Sequence, residues 1–190
     1  MKNTKPIASL TVAIIALLVS GTRAVPFQDS TKQSAGELHF KAPAEWTVEK
    51  PSSTMRLAQY KLPKAEGDGE DASLVLYFFG SNQGGSVQAN LERWISQIEQ
   101  PDGSSSQAKA KTETLTINQL KVSTIDLTGT YVAETAPGSS VRHNNPNYRL
   151  RAAVIETPKG AHYVKLVGPA KTVGRWEKSF NSYLQSFEFK

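Results

Sequence analysis

The sequence predicts an α+β domain: an antiparallel sheet of about six to seven strands with helices packed on both faces. Three observations carry this. Strand-like segments are joined by tight turns at Asn118-Gln119 and Pro158-Lys159-Gly160 rather than by helices, which argues against a doubly wound parallel sheet. Residues 74–79 are apolar on both alternating faces, as in a central strand covered on each side. Residues 87–98 and 170–186 each carry one apolar stripe at helical spacing: Val87, Leu91, Trp94, Ile95 and Ile98, then Val173, Trp176, Phe180 and Leu184.

The elements follow in order. Lys2 and Lys5 precede an apolar run, Ile7 to Val19, and small residues stand at Thr22 and Ala24. This is the pattern of a secretory signal peptide over 1–24, cleaved after Ala24. The run is too short for the roughly 20 residues that span a bilayer, so no membrane span is expected in the mature form. Residues 25–35 read as a polar linker and 36–190 as a single domain. Glu37 to Phe40 is a short strand, and Ala42 to Trp46 a turn ending in an aromatic. Residues 55–62 form a strand whose apolar phase shifts part-way, the mark of a bulge or of two covered faces. An acidic, glycine-bearing loop over 63–72 leads to the central strand. Gly80 to Ser86 is a glycine-rich loop, with Ser86 suited to cap the helix that follows. Residues 109–117 and 120–132 pair as a hairpin, with Ile125, Leu127 and Tyr131 inward. After a long polar loop over 133–147, residues 148–157 and 161–168 form a second hairpin in which Gly160 suits a positive φ. Phe187 to Phe189 closes the chain as an edge strand.

Composition narrows the function classes. The 190 residues contain no cysteine, so thiol nucleophiles, thiolate zinc sites, iron–sulfur clusters and a lipidated N-terminal cysteine are excluded. The formal charge of +5 falls to a net of +2 once Lys2, Lys5 and Arg23 leave with the leader. A mixed-sign surface of that kind gives no electrostatic footprint for nucleic acid.

The segments Phe40-Lys-Ala-Pro-Ala-Glu-Trp46, Met55 to Pro63, Leu74 to Ile98 and Asn147 to Val173 resemble the PsbP/Mog-type fold. Within it they are similar to a group of exported bacterial proteins of unknown function. The resemblance implies an antiparallel sheet with helices on its two faces. It also implies protein-binding roles without an active site: an extrinsic subunit of the oxygen-evolving complex in plants and cyanobacteria, and an assistant of a nuclear-transport GTPase in yeast. No binding motif of those relatives has a counterpart here, so no site residue is carried over.

Two loops offer candidate contact residues. Asn82, Gln83, Gly84 and Gly85 stand before a helix N-terminus, where backbone N–H groups can hold an anion. The loop lacks the lysine and spacing of a P-loop, and its glycines also suit a plain strand-to-helix turn. Arg142, His143 and Asn144 lie in the 133–147 loop, whose length leans towards function. His39, His143 and His162 show no metal-ligand spacing, and His162 shares strand parity with Val164 and Leu166. Glu66, Asp68, Glu70 and Asp71 lack the EF-hand form and read as a solvated acidic turn. Arg149 and Arg151 read as a small basic stripe or as solvent-facing strand positions. Trp46, Trp94 and Trp176 read as core. No Gly-x-Ser-x-Gly elbow is present. The expectation is a monomeric, non-catalytic binding domain, periplasmic or secreted, whose partner is a protein or envelope component and which needs no cofactor. The alternative is a small-ligand carrier that uses the 80–86 and 133–147 loops as a mouth. An enzyme is the third reading, with His143 as its best candidate.

Overall fold

The computed structural model describes Met1, the strand Lys32–Ala35 and residues 37–190. The leader, the cleavage site after Ala24 and most of the 25–35 linker lie outside the described residues. Strand β1 (Lys32–Ala35) occupies the end of that linker and pairs with β2 (Leu38–Lys41). Then come β3 (Thr47–Glu49), β4 (Arg56–Leu62), β5 (Ala72–Phe78), α1 (Val87–Ile95), β6 (Ile98–Glu99), α2 (Ser106–Lys109) and β7 (Lys111–Ile117). The chain continues through β8 (Leu120–Tyr131), β9 (Asn145–Thr157), β10 (Gly160–Pro169), α3 (Ala170–Arg175), α4 (Glu177–Gln185) and β11 (Glu188–Phe189).

The main sheet has eight strands in the order β3-β4-β5-β10-β9-β8-β6, with β7 also paired to β8. Every pairing in it is antiparallel. β1, β2 and β11 form a second, three-stranded sheet. The α+β class therefore holds, with helices on both faces. The hairpin turn at Asn118-Gln119 has φ of 47° and 68°, the paired positive values that a two-residue turn needs to match strand twist. The phase shift in β4 is a register shift between Arg56 and Ala58. A second shift, between Gly129 and Tyr131, places its extra residue on the β9 side, so alternation along β8 still sets Tyr131 on the same face as Ile125 and Leu127.

Two helices depart from the sequence expectation. The first ends at Ile95, and Ile98 joins β6 instead of the helical stripe. Ile98 is apolar in either setting, so periodicity alone could not separate a last helical turn from a short strand. The last helix breaks at Trp176 (φ −95°, ψ 8°) into α3 and α4. There the Trp176 indole N–H donates to the Pro63 carbonyl at 2.8 Å.

Each sheet face carries its own core. On the first, Leu74, Leu76, Val164, Leu166, Ala153 and Ile155 pack beneath α3, α4 and β2. Phe40, Trp46, Tyr60, Tyr183 and Phe187 form a chain of ring contacts there, with centroids 4.9 to 6.2 Å apart. On the second, Leu91, Trp94, Ile95 and Ile98 cover Ile125, Leu127, Leu150, Ala152 and Val154. Helix α1 lies over β8 and β9. The same face of β4, β5 and β10 has no helix over it among the described residues, and Gln59, Ser73, Tyr77, Lys165 and Val167 there stay half-buried.

Candidate functional site

The 80–86 loop is tied down by its own carbonyls. Asn82, Gly84 and Gly85 have φ of 58°, 89° and 80°. This backbone turns the carbonyls of Gln83 and Gly85 towards the Tyr163 hydroxyl, at 3.4 and 3.2 Å. A Cβ on Gly84 would meet the Tyr163 ring at 2.6 to 2.8 Å. Asn90, 2% exposed, donates to the carbonyls of Gly84 and Ser86 at 2.8 and 2.9 Å. Ser86 caps α1 by accepting from the Ala89 N–H. The glycines here serve close approach of backbone to an aromatic ring. Asn82 and Gln83 remain exposed on its rim.

The 133–147 loop is more structured than its composition suggests. A bridge between Glu134 and Arg142 extends the β8–β9 ladder. The His143 N–H donates to Ala133 at 2.8 Å, and Glu134 accepts from the Gly138 N–H. The His143 ring lies 5.2 Å from that of Tyr131. Arg142 and Asn144 are exposed.

The structure does not bring the two loops together. Ser81 donates to the Lys159 carbonyl, which fixes the first loop at the β9–β10 turn. The second sits where Tyr131 pairs with Asn145, at the other end of β9. Thirteen residues of β9 separate them, roughly 40 Å of strand. Two surface pockets, about 550 and 460 Å³, lie beside the end of α1 and beside Asp126. Neither is bordered by a residue of either loop.

Other candidates resolve into structural roles. The acidic turn is a tie: Asp68 accepts from the Thr172 N–H and hydroxyl at 2.8 and 2.6 Å, Asp71 from the Lys64 N–H, and Glu70 from the Tyr148 hydroxyl. Short-range composition cannot foresee partners roughly 80–100 residues away. Arg149 and Arg151 do not form a free basic stripe. Arg149 grips Asp126 and pairs with Glu177 at 2.9 Å, and Arg151 lies 3.3 Å from Asp126 and over the Phe180 ring. His162 is buried and stacks on Phe78 at 4.5 Å, and burial pushes its imidazole down to about 4. No cluster of three metal-ligating side chains occurs among the described residues.

A different site stands out on the uncovered strip beside α1. Lys165 alternates with Tyr163 and Val167, so strand parity turns it into the second face, flanked by Val75 and Ala152. Its ammonium donates to Gln97 Oε1 at 2.6 Å and to the Tyr131 hydroxyl at 3.0 Å, and lies 5.1 Å from the Tyr131 ring centre. Two more cations share the strip. The Arg56 guanidinium stands 5.6 Å from the Tyr77 ring centre, and Arg93 donates to Asn90 from α1.

Among the described residues no carboxylate lies within ion-pair distance of these three cations. Glu49 is bridged to Arg56 by Gln59, which accepts from Arg56 and donates to Glu49 at 2.9 Å each, and the Arg56 charge also acts on that carboxylate from beyond ion-pair distance. Glu49 is itself paired with Lys61 at 3.2 Å, and Gln59 chiefly holds its carboxyl below the usual range. Burial drives the Lys165 amine down to about 8, with Arg93 and Arg56 pushing the same way. Burial lifts the Tyr131 phenol to about 12 and raises that of Tyr77. At neutral pH the strip thus presents three positive charges on a wall of neutral phenols.

This cluster was missed at the level of sequence. One signal was available: a lysine amid the alternation of an otherwise apolar central strand, where an unpaired charge is rare.

Comparison with known proteins gives fold neighbours. No family model and no curated protein matches. The chain is similar to a protein of unknown function and putative regulator from Pseudomonas aeruginosa, PA94, at 16% identity over 84% of this chain and 96% of that one, with a TM-score of 0.45. It is also similar to cyanobacterial PsbP (CyanoP) from Synechocystis, at 13% identity over 84% and 91% with a TM-score of 0.49. These are the two kinds of protein that the sequence resemblance named.

Proposed function

We propose that this chain is a non-catalytic, exported binding domain of the cell envelope, whose partner docks on the strip of β4, β5 and β10 left open beside α1. One observation carries the reading: the Lys165 ammonium is held by the neutral acceptors Gln97 and Tyr131, Arg93 and Arg56 stand near enough to act on it, and among the described residues none of the three has a carboxylate within ion-pair distance. A partly buried lysine held by neutral acceptors alone is costly to fold. A group that lowers stability and packs nothing better is accounted for by what it binds. The signal pattern at Lys2 to Ala24 supports export.

The strip borders neither of the two pockets, which suits a macromolecular partner better than a small ligand, whose site normally encloses most of it. The carrier reading of the two loops loses its geometric basis, because they occupy opposite ends of β9.

A photo-crosslinking amino acid placed at Gln59 or Ser73, on the strip, tests the proposal against one placed at Thr114 on β7. Cells should yield a discrete crosslinked product from the first two positions only. Equal products from all three, or none from the strip, would refute it.

A further inference from the structure

We infer that the partner presents an acidic segment, and that one of its carboxylates seats on Lys165 between Arg56 and Arg93 with apolar or aromatic neighbours lying on Tyr77. This rests on the binding reading above and adds the chemistry of the occupant. The argument is charge complementarity in a half-buried setting. Arg56 and Arg93 repel Lys165, and the phenols of Tyr77 and Tyr131 offer it no negative charge. An incoming carboxylate relieves all three cations at once, and the low-dielectric floor strengthens that pairing relative to open solvent. Tyr77 and Phe79, stacked on each other and both half-buried, leave apolar ring surface at the same place, against which apolar or aromatic side chains of the partner can lie.

The other cationic patch offers nothing comparable. Arg149 and Arg151 are neutralised by Asp126 and Glu177. The occupant is therefore expected on the α1 side of the sheet.

The test uses the mature protein and a short peptide in which glutamate alternates with tyrosine, beside a twin with glutamine for every glutamate. Fluorescence anisotropy at low and physiological salt reads the affinity. The acidic peptide should bind, and its twin roughly tenfold or more weaker. Arg56→Gln combined with Arg93→Gln, both at or near the surface, should lose roughly tenfold, while Lys111→Gln on the far edge strand changes nothing. Lys165→Met, checked for folding by circular dichroism, should lose at least as much.

Equal binding of the two peptides, no binding of either, or an equal loss in Lys111→Gln would overturn the inference. So would competition by free sulfate as effective as that by peptide, which marks a small-anion site, or tighter binding to phosphatidylglycerol vesicles. If crosslinks from Gln59 and Ser73 persist in the double arginine variant, the face is a docking surface and the acidic occupant is wrong. If the crosslinks are absent while the peptide binds, the chemistry holds and the envelope partner is wrong.

Discussion

Replacing Lys165 with methionine should stabilise the protein at neutral pH. The folded environment lowers the amine from its ordinary 10.5 to about 8. At 1.36 kcal/mol per unit, keeping that charge in the fold costs about 3 kcal/mol below pH 8. Methionine removes this cost and fills similar volume. It also strips a donor from Gln97 Oε1 and the Tyr131 hydroxyl, an offset of about 1 kcal/mol for each acceptor left without a partner. The net expectation is a gain of about 1–2 kcal/mol at pH 7, or roughly 2–8 °C in Tm for a domain of this size.

The pH dependence identifies the cause. Because the folded amine is the weaker base, the native state sheds its proton first, and wild-type stability rises between pH 8 and 10.5. By pH 10 only about 1 kcal/mol of the cost remains, so the advantage of Lys165→Met should vanish or reverse. Urea unfolding of both proteins at pH 7 and pH 10 measures this, and other titrations largely cancel in the difference. A variant less stable than wild type by 1 kcal/mol at pH 7, or a difference unchanged between the two pH values, would refute the reasoning.

Three further outcomes follow from other parts of the molecule. His162 stays neutral in the fold down to about 4, so its contribution is complete above pH 6.5 and is lost as pH falls towards 4. Wild type should lose about 2–3 kcal/mol from this group between pH 7 and 4.5, and His162→Phe, stacked on Phe78, should flatten that slope in parallel urea titrations. Gly84→Ala combines a positive φ with a clash against Tyr163, so thermal melts should show a loss of about 2–4 kcal/mol, while Gly103→Ala, with open space around it, should lose about 1. Asp126→Asn leaves Arg149 and Arg151 with one carboxylate, Glu177, and should cost about 2–3 kcal/mol by the same assay, with peptide affinity unchanged.

The strands and cores were legible because their periodicity reports directly on burial. Leu74 and Leu76 announced the covered face of a central strand and Leu91 and Trp94 a helix lying on a sheet, whereas the second face of that strand, expected to be covered as well, carries no helix among the described residues. The bulge in β4 showed as a slipped apolar phase. The sites were less legible, because they depend on which ends of long strands meet. Gly84 and Gly85 have the composition of an anion cradle, yet their carbonyls are taken by Asn90 of the following helix and by Tyr163, on a strand that no local pattern links to the loop. His143 has the composition of a free loop residue, yet a bridge beside it continues the ladder. Lys165 was hidden for the converse reason. Val164 and Leu166 gave β10 an apolar face, and the lysine between them reads as a solvent position until the fold brings Gln97 and Tyr131 onto its ammonium. Parity names the face of a strand residue, and only the packed fold says whether that face is wet.

The central claim is that Lys165 is the uncompensated cation at a docking surface for acid. Its titration by NMR of the Cε–Nζ group, alone and saturated with the acidic peptide, tests this most directly. The account predicts a value of about 8 alone, rising on binding as a carboxylate arrives. An ordinary lysine value in the free protein, or one that saturation leaves unmoved, would contradict it.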